Sequence, residues 1–134
     1  MTFVLALLII MPACAMTGCS GSKEPVNKTS VDYTVVENAD LPEELKKLIE
    51  SKKDKVMRLT YTTKDYTYVV AGYGTRETSV YSIKVNDVYT GDNALYIDLN
   101  LIGPAAGEAV NEVETYPVIV LKMERREESV VFKM

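Results

Sequence analysis

The chain has 134 residues, 15 Lys+Arg against 19 Asp+Glu for a net charge of −4, nine Tyr, two Cys, no His and no Trp. Without His there is no Ser-His or Cys-His nucleophile pair and no imidazole ligand for a metal. The acidic balance also lacks the surplus of Lys and Arg that displaces counterions from nucleic acid. The length fits one domain able to bury its own core.

Residues 1–18 carry no charged side chain, and Phe3 to Met11 is an unbroken apolar run followed by Pro12 and small residues up to Gly18. A membrane-spanning helix needs about 20 apolar residues, so this shorter run reads as the apolar region of a secretory signal. Met16-Thr17-Gly18-Cys19, followed by Ser20-Gly21-Ser22, resembles the lipobox of bacterial lipoproteins. There the thiol accepts a diacylglyceryl group and the small residue before it admits the signal peptidase. Met16 is an unusual choice at its position, and Cys14 is the weaker rival for the anchor. The plainer alternative is an ordinary secretory signal with incidental cysteines. We expect residues 1–18 to be a lipoprotein signal, 19–30 the lipidated Cys19 and a flexible tether, and 31–134 a single β-rich domain. Met1-Thr2-Phe3 carries none of the positive charge that usually opens such signals, which leaves room for a start upstream. Cys14 would leave with the signal, so the mature chain would have no intramolecular disulfide. A Gly/Ser/Lys/Pro-containing tether from Ser20 to Ser30 reaches at most ~40 Å. The domain is therefore expected on the extracytoplasmic face of the bacterial cell membrane, held by a lipid on Cys19.

Val31-Asp32-Tyr33-Thr34-Val35 alternates as a half-buried strand does. Asp40-Leu41-Pro42-Glu43 predicts a helix start with Asp40 as N-cap. Leu41, Leu45, Leu48 and Ile49 share a face, and Lys52, Lys53 and Lys55 crowd a C-terminal end expected near Asp54. Strands follow: Met57-Leu59-Tyr61 with a turn over Thr62 to Asp65, then Tyr66 to Ala71, then Tyr81-Ile83-Val85. A phase shift at Asn86-Asp87 predicts a bulge. Thr90 to Asn93 turns the chain into Leu95-Ile97-Leu99-Leu101. Pro117 to Met123 is apolar on both faces and is expected to be central, with Pro117 at its entrance. Glu124 to Glu128 is a charged turn before Ser129 to Phe132. The predicted class is α+β, mainly β: about seven mostly antiparallel strands, as a sandwich or curled sheet, with one short N-terminal helix.

Few constellations suggest chemistry. Ser82 and Lys84 share a strand face, but a Ser-Lys dyad needs a desolvated Lys. Tyr81, Ile83 and Val85 claim the inward face, so solvated polarity is the better reading. Asn86, Asp87, Asp92 and Asn93 cluster oxygens without the spacing of a calcium loop, and hairpins use such residues for conformation. Lys46, Lys47, Lys52, Lys53 and Lys55 could meet anionic headgroups, or be the wet face of an amphipathic helix. Gly72-Tyr73-Gly74 lacks the frame of a phosphate loop. No catalytic residue, metal or cofactor is expected. The segment Gly72 to Tyr81 joins two strands by more residues than a hairpin needs, and it carries Arg76 between Tyr73 and Tyr81, residue types enriched at binding hot spots.

Ala71-Gly72-Tyr73-Gly74 with Thr78-Ser79-Val80-Tyr81-Ser82-Ile83-Lys84-Val85 resembles the central motif of the PrcB-like family. Gly103-Pro104 and Thr115 to Lys122 resemble its later motifs, in the same order, so that the likeness covers about residues 56–133. The family is named for an accessory lipoprotein subunit of a bacterial surface protease complex. The resemblance implies a non-enzymatic domain that binds a secreted or surface protease and stabilises it. The expected contact loop is Thr75, Arg76, Glu77, Thr78, Ser79, Val80 and Tyr81, with Gly103 and Pro104 as its neighbour. Where the family usually has Thr-Gly-Gly-Tyr, this chain has Thr78-Ser79-Val80-Tyr81. A β-branched Val takes φ > 0 only at a cost, which implies a differently shaped loop. The Thr-Gly-Gly-Tyr pattern is also similar to the loop motif of chagasin-type inhibitors, so a loop-based protease inhibitor is the alternative, and a small-ligand-binding lipoprotein a further one.

Overall fold

The computed structural model describes residues 27–134; the signal and lipobox readings, Cys14 and Cys19 included, lie outside them. The chain forms β1 (Thr29–Ser30), β2 (Thr34–Val35), a 3-10 turn at Asn38–Asp40, α1 (Glu43–Lys52), β3 (Val56–Thr62), β4 (Tyr66–Tyr73), β5 (Ser82–Gly91), β6 (Ala94–Ile102), β7 (Val118–Glu124) and β8 (Ser129–Lys133). Two open four-stranded sheets result, in the orders β1-β5-β6-β8 and β2-β7-β4-β3. All neighbours are antiparallel except β6 and β8, which are parallel. The expected class therefore holds, as two sheets and a helix in three layers.

Strand period two explains the layering. Val69 and Ala71 of β4 with Ile119, Leu121 and Met123 of β7 face Val88, Leu95, Ile97 and Leu99 across the sheets. Tyr68, Val70 and Val120, on the opposite faces of the same two strands, pack with Leu41, Leu45 and Ile49 of the helical segment. β7 is internal and apolar on both faces, as its sequence predicts. Thr67 is 1% exposed, and its hydroxyl accepts the Arg126 N–H at 2.9 Å, which satisfies the group and fixes the turn after β7. That turn carries the chain from one sheet to the other, where Val130 and Phe132 of β8 pack on the inter-sheet core.

The predicted bulge is present as a register shift between Val85 and Asp87. Asp92 and Asn93 have φ of 50° and 64°, the paired positive values of the two-residue hairpin turn that joins β5 to β6.

Two local expectations are corrected. Val31–Val35 is not one strand: Val31 packs on the inter-sheet core and Val36 on the helix-side core, so the segment crosses between layers. It pairs twice, at Thr29–Ser30 with β5 and at Thr34–Val35 with β7, and Thr29 and Ser30 thereby belong to a sheet instead of the tether. Asp40 is also not the N-cap. It closes the 3-10 turn, Pro42 occupies the cap position, and no side chain caps α1. Pro42 suits this place because its ring is compatible with a helix entrance and its missing N–H is not needed there. The helix is held by tertiary burial instead, with Leu45 fully buried.

Leu45→Ala is thus expected to lower the unfolding free energy by about 2–5 kcal/mol, whereas Asp40→Ala should change it by less than about 0.5 kcal/mol. Urea titration reads both. A loss of about 1 kcal/mol at Asp40, the usual value of a cap, would contradict the placement of the helix start.

Candidate interaction surface at the loop end

The connection after β4 and the one before β7 leave the same end of the molecule and are bonded to each other. Gly74 turns the chain at φ 77°, with the backbone of Asp54 to Val56 at 3.4 Å from where a Cβ would stand. Thr75 then donates its N–H and its hydroxyl to Asp54 O, each at 3.3 Å. Arg76 and Thr115 exchange backbone hydrogen bonds, Arg76 N–H to Thr115 O at 2.8 Å and Thr115 N–H to Arg76 O at 2.9 Å. The Thr115 hydroxyl donates to Thr78 O at 2.8 Å. Ser79 N–H reaches Asn111 O at 2.9 Å, and Asn111 N–H reaches the Ser79 hydroxyl at 2.9 Å. Five bonds across loops of little regular structure make them one surface, since each otherwise solvated backbone group now has a fixed partner.

The expected contact residues divide. Thr75, Glu77, Val80 and Gly103 are exposed, whereas Arg76, Thr78, Ser79, Tyr81 and Pro104 are half-buried. Arg76 is turned inward: its Nη2 donates to Tyr73 O at 3.3 Å and its guanidinium lies 5.7 Å from the centre of the Tyr81 ring. Gly103 admits that ring closely, since a Cβ there would lie 3.1 Å from Tyr81 Cε1. The predicted neighbourhood of the Gly103-Pro104 loop and Tyr81 is therefore real, and Arg76 has a positioning part inside it.

Val80 adopts the costly conformation itself. Its φ is 68°, in the region its β-branched side chain disfavours. The bonds at Thr78 and Ser79 on one side, and the pairing of Ser82 with Ile102 on the other, hold it there. The surroundings over-determine the backbone, as is usual where a sparsely populated conformation persists. Val80 is 43% exposed, and the same end carries exposed Ile102, Val110 and Val113. Val110 and Val113 flank Asn111 in residues 105–114, a stretch without helix or strand periodicity whose signals are Gly107, small apolar residues and glutamates. Glu77, Glu108, Glu112 and Glu114 are exposed on the same two connections, and Glu114 accepts the Tyr116 hydroxyl at 3.2 Å. That bond holds the Tyr116 phenol above its ordinary pKa, and burial does the same for Tyr73. Both stay neutral at physiological pH.

Elsewhere the polar clusters are occupied structurally. Ser82 and Lys84 are exposed, as their strand alternation predicts. Asn86 donates to Asp98 at 3.1 Å and Asp87 pairs with Lys28 at 2.6 Å. Lys46 and Lys53 pair with Glu43 and Glu50 one helical turn away. A hollow of about 520 Å³ lies along β2 and is lined by residues including Tyr33, Tyr66 and Lys122. Among the described residues, no group of three or more His, Cys, Asp or Glu is placed to hold a metal ion.

Residues 67–124, from the second residue of β4 to the last of β7, match the family model described as PrcB C-terminal. The matched span contains both bonded loops. No curated protein and no solved structure matches the chain.

Replacing Val80 by Gly should raise the unfolding free energy by up to about 1 kcal/mol, because the left-handed penalty exceeds the backbone entropy a Gly adds. Gly74→Ala should lower it. Denaturant titration of the two variants checks the loop conformation, and a destabilised Val80→Gly protein would contradict it.

Proposed function

From the premise that the β4–β7 segment belongs to the PrcB C-terminal family, a family of accessory, non-catalytic domains, we propose that the chain is a lipid-anchored accessory subunit of an extracytoplasmic protease and contacts it through the bonded loop pair. The observation that carries this reading is the joining of residues 76–79 to 111–115, which pre-organises an exposed surface inside the matched span. Pre-organisation matters because loops ordered only on binding spend part of their interaction energy on that ordering. Val80, Val110 and Val113 supply apolar contact, and the exposed glutamates of the same connections favour a partner with basic residues.

An accessory domain of this kind acts without bond-making. A partner that binds only the folded protease stabilises it by mass action. The lipid on Cys19 concentrates both at the membrane, and the tether sets their effective concentration. Anchoring by more than one acyl chain is stable where a single chain is not.

Two measurements test the reading. The purified chain, added to a solubilised protease fraction from the source bacterium's membranes, should lengthen the half-life of peptidase activity on heating. A variant with Val80, Val110 and Val113 changed to Asp, once shown to unfold like the parent, should not. A fall in activity on addition would instead support the inhibitor alternative, and no effect from either chain would contradict both. For the anchor, the Cys19→Ser chain should lose incorporation of labelled palmitate and leave the membrane fraction, while Cys14→Ser should not. Equal labelling of the Cys19→Ser chain would overturn it.

A further inference from the structure

Open sheets have edges, and these edges are not equally guarded. Edge strands present unpaired N–H and C=O groups that can accept another strand, and proteins protect them with bulges, prolines, short strands or covering segments. The outer edge of β5 is bulged at Val85/Asp87 and covered at Tyr89 and Thr90 by β1. The outer edge of β7 is entered through Pro117 and covered at Leu121 and Lys122 by β2. β8 is short, at five residues. β3 differs: its seven residues pair with β4 in unbroken register, it contains no proline, and among the described residues no strand pairs with its other side. A groove of about 430 Å³ runs beside it, lined by Ser51, Lys52 and residues 54–59.

The residues that face outward follow from the hydrogen-bond alternation of an antiparallel pair. Tyr73 gives its N–H to Pro117, away from β3, whereas Thr63 gives its N–H to Tyr66. With Thr63 opposite Tyr66 and Tyr73 opposite Val56, the inward bonds fall on Met57, Leu59, Tyr61 and Thr63. Val56, Arg58, Thr60 and Thr62 therefore aim their backbone groups outward.

We propose that this edge pairs with the same edge of a second copy of the chain, antiparallel and centred on Leu59. Only registers that oppose outward residues to outward residues can bond. One places Arg58 against Arg58, a like-charge clash. Another, centred on Thr60, leaves Val56 beyond the strand. The Leu59-centred register uses all four outward residues, setting Val56 against Thr62 and Arg58 against Thr60. On the helix-side face it sets Met57 against Tyr61 and Leu59 against Leu59, extending an apolar row that already packs on α1. Continued one step past each strand end, it brings Asp54 opposite Lys64 of the second copy. Val56, 58% exposed in the single chain, gains a cross-strand neighbour. The pairing is small beside standard interfaces, so its affinity is low; attachment of both copies to one membrane would raise their effective concentration. The edge begins beside Gly74 and Thr75 but uses none of the residues bonded between 76–79 and 111–115, so the pairing stands or falls apart from the proposed loop contact, and only its concentration at a membrane rests on the proposed anchor.

Cysteine cross-linking reads the register in the full chain, with Cys14 and Cys19 replaced by Ser and the protein held in a non-ionic detergent at roughly millimolar concentration, which replaces the concentrating effect of a shared membrane. In the Leu59-centred pair the two Leu59 Cα atoms lie about 4.5 Å apart, as in any non-hydrogen-bonded antiparallel pair, which is within disulfide range. The two Thr62 Cα atoms lie roughly 20 Å apart along the strands. Mild oxidation should give a disulfide dimer for Leu59→Cys at least about tenfold faster than for Thr62→Cys. Adding Thr60→Pro removes an outward N–H while leaving the bonds to β4 untouched, and should abolish the Leu59→Cys dimer without loss of the folded near-ultraviolet spectrum. Equal rates at the two positions, no dimer at either, or a dimer that survives Thr60→Pro would each overturn the proposal; the comparison of Cys positions decides even if the proline variant fails to fold.

Discussion

β4 and β7 lie side by side in one sheet and are buried on both faces, and the rest of the molecule depends on that constraint. Val69, Ala71, Ile119 and Leu121 feed the core between the sheets, while Val70 and Val120 feed the core under the helix. A strand pair with two apolar faces has to be covered twice, which is why a ten-residue helix with no side-chain cap is retained and why a second sheet lies opposite. It also fixes the far ends of the two strands. Tyr73 and Pro117 are bonded to each other where the loops begin, so the loops start from a rigid pair of points and can be joined by the bonds between residues 76–79 and 111–115. Function in this account is a property of a loop surface that the central pair positions.

Much of this was legible in the chain. The apolar residues on both faces of Pro117 to Met123 marked a central strand, the phase change at Asn86-Asp87 marked the bulge, and Thr90 to Asn93 marked the hairpin turn, of which Thr90 and Gly91 in fact belong to β5, because each is a local chemical demand. What was hidden is non-local. The alternation of Val31 to Val35 imitates a strand, but its side chains serve two layers in turn, and only the packed molecule shows the crossing. Asp40 and Glu43 imitate a capping box, yet Pro42 between them sets the entrance. The parallel pairing of β8 with β6 has no local signal, because parallel neighbours need no turn between them.

The loop surface was legible by half. Its first strand-to-strand connection stood out by length and by Arg76, but Arg76 proved to hold Tyr73 and Tyr81 from within. The partner segment, residues 105–115, has no sequence periodicity, turns on itself at Ala105–Glu108, and is tied to the first loop where Asn111 bonds to Ser79 and Thr115 bonds to Thr78 and Arg76. Val80 is the sharpest case. Propensity forbids the conformation it adopts, and its neighbours impose it, a local rule broken where the surface is built.

The claim on which the functional account rests is that the two loops form one ordered surface before any partner arrives. Amide hydrogen exchange of the free protein tests it most directly. The N–H groups of Arg76, Ser79, Asn111 and Thr115, bonded across the loops, should exchange slowly, with protection approaching that of the adjoining strands. Neighbouring exposed amides such as Glu77 and Glu112 should exchange quickly. Fast exchange at all of these positions would mean that the loops open independently, and would contradict the account.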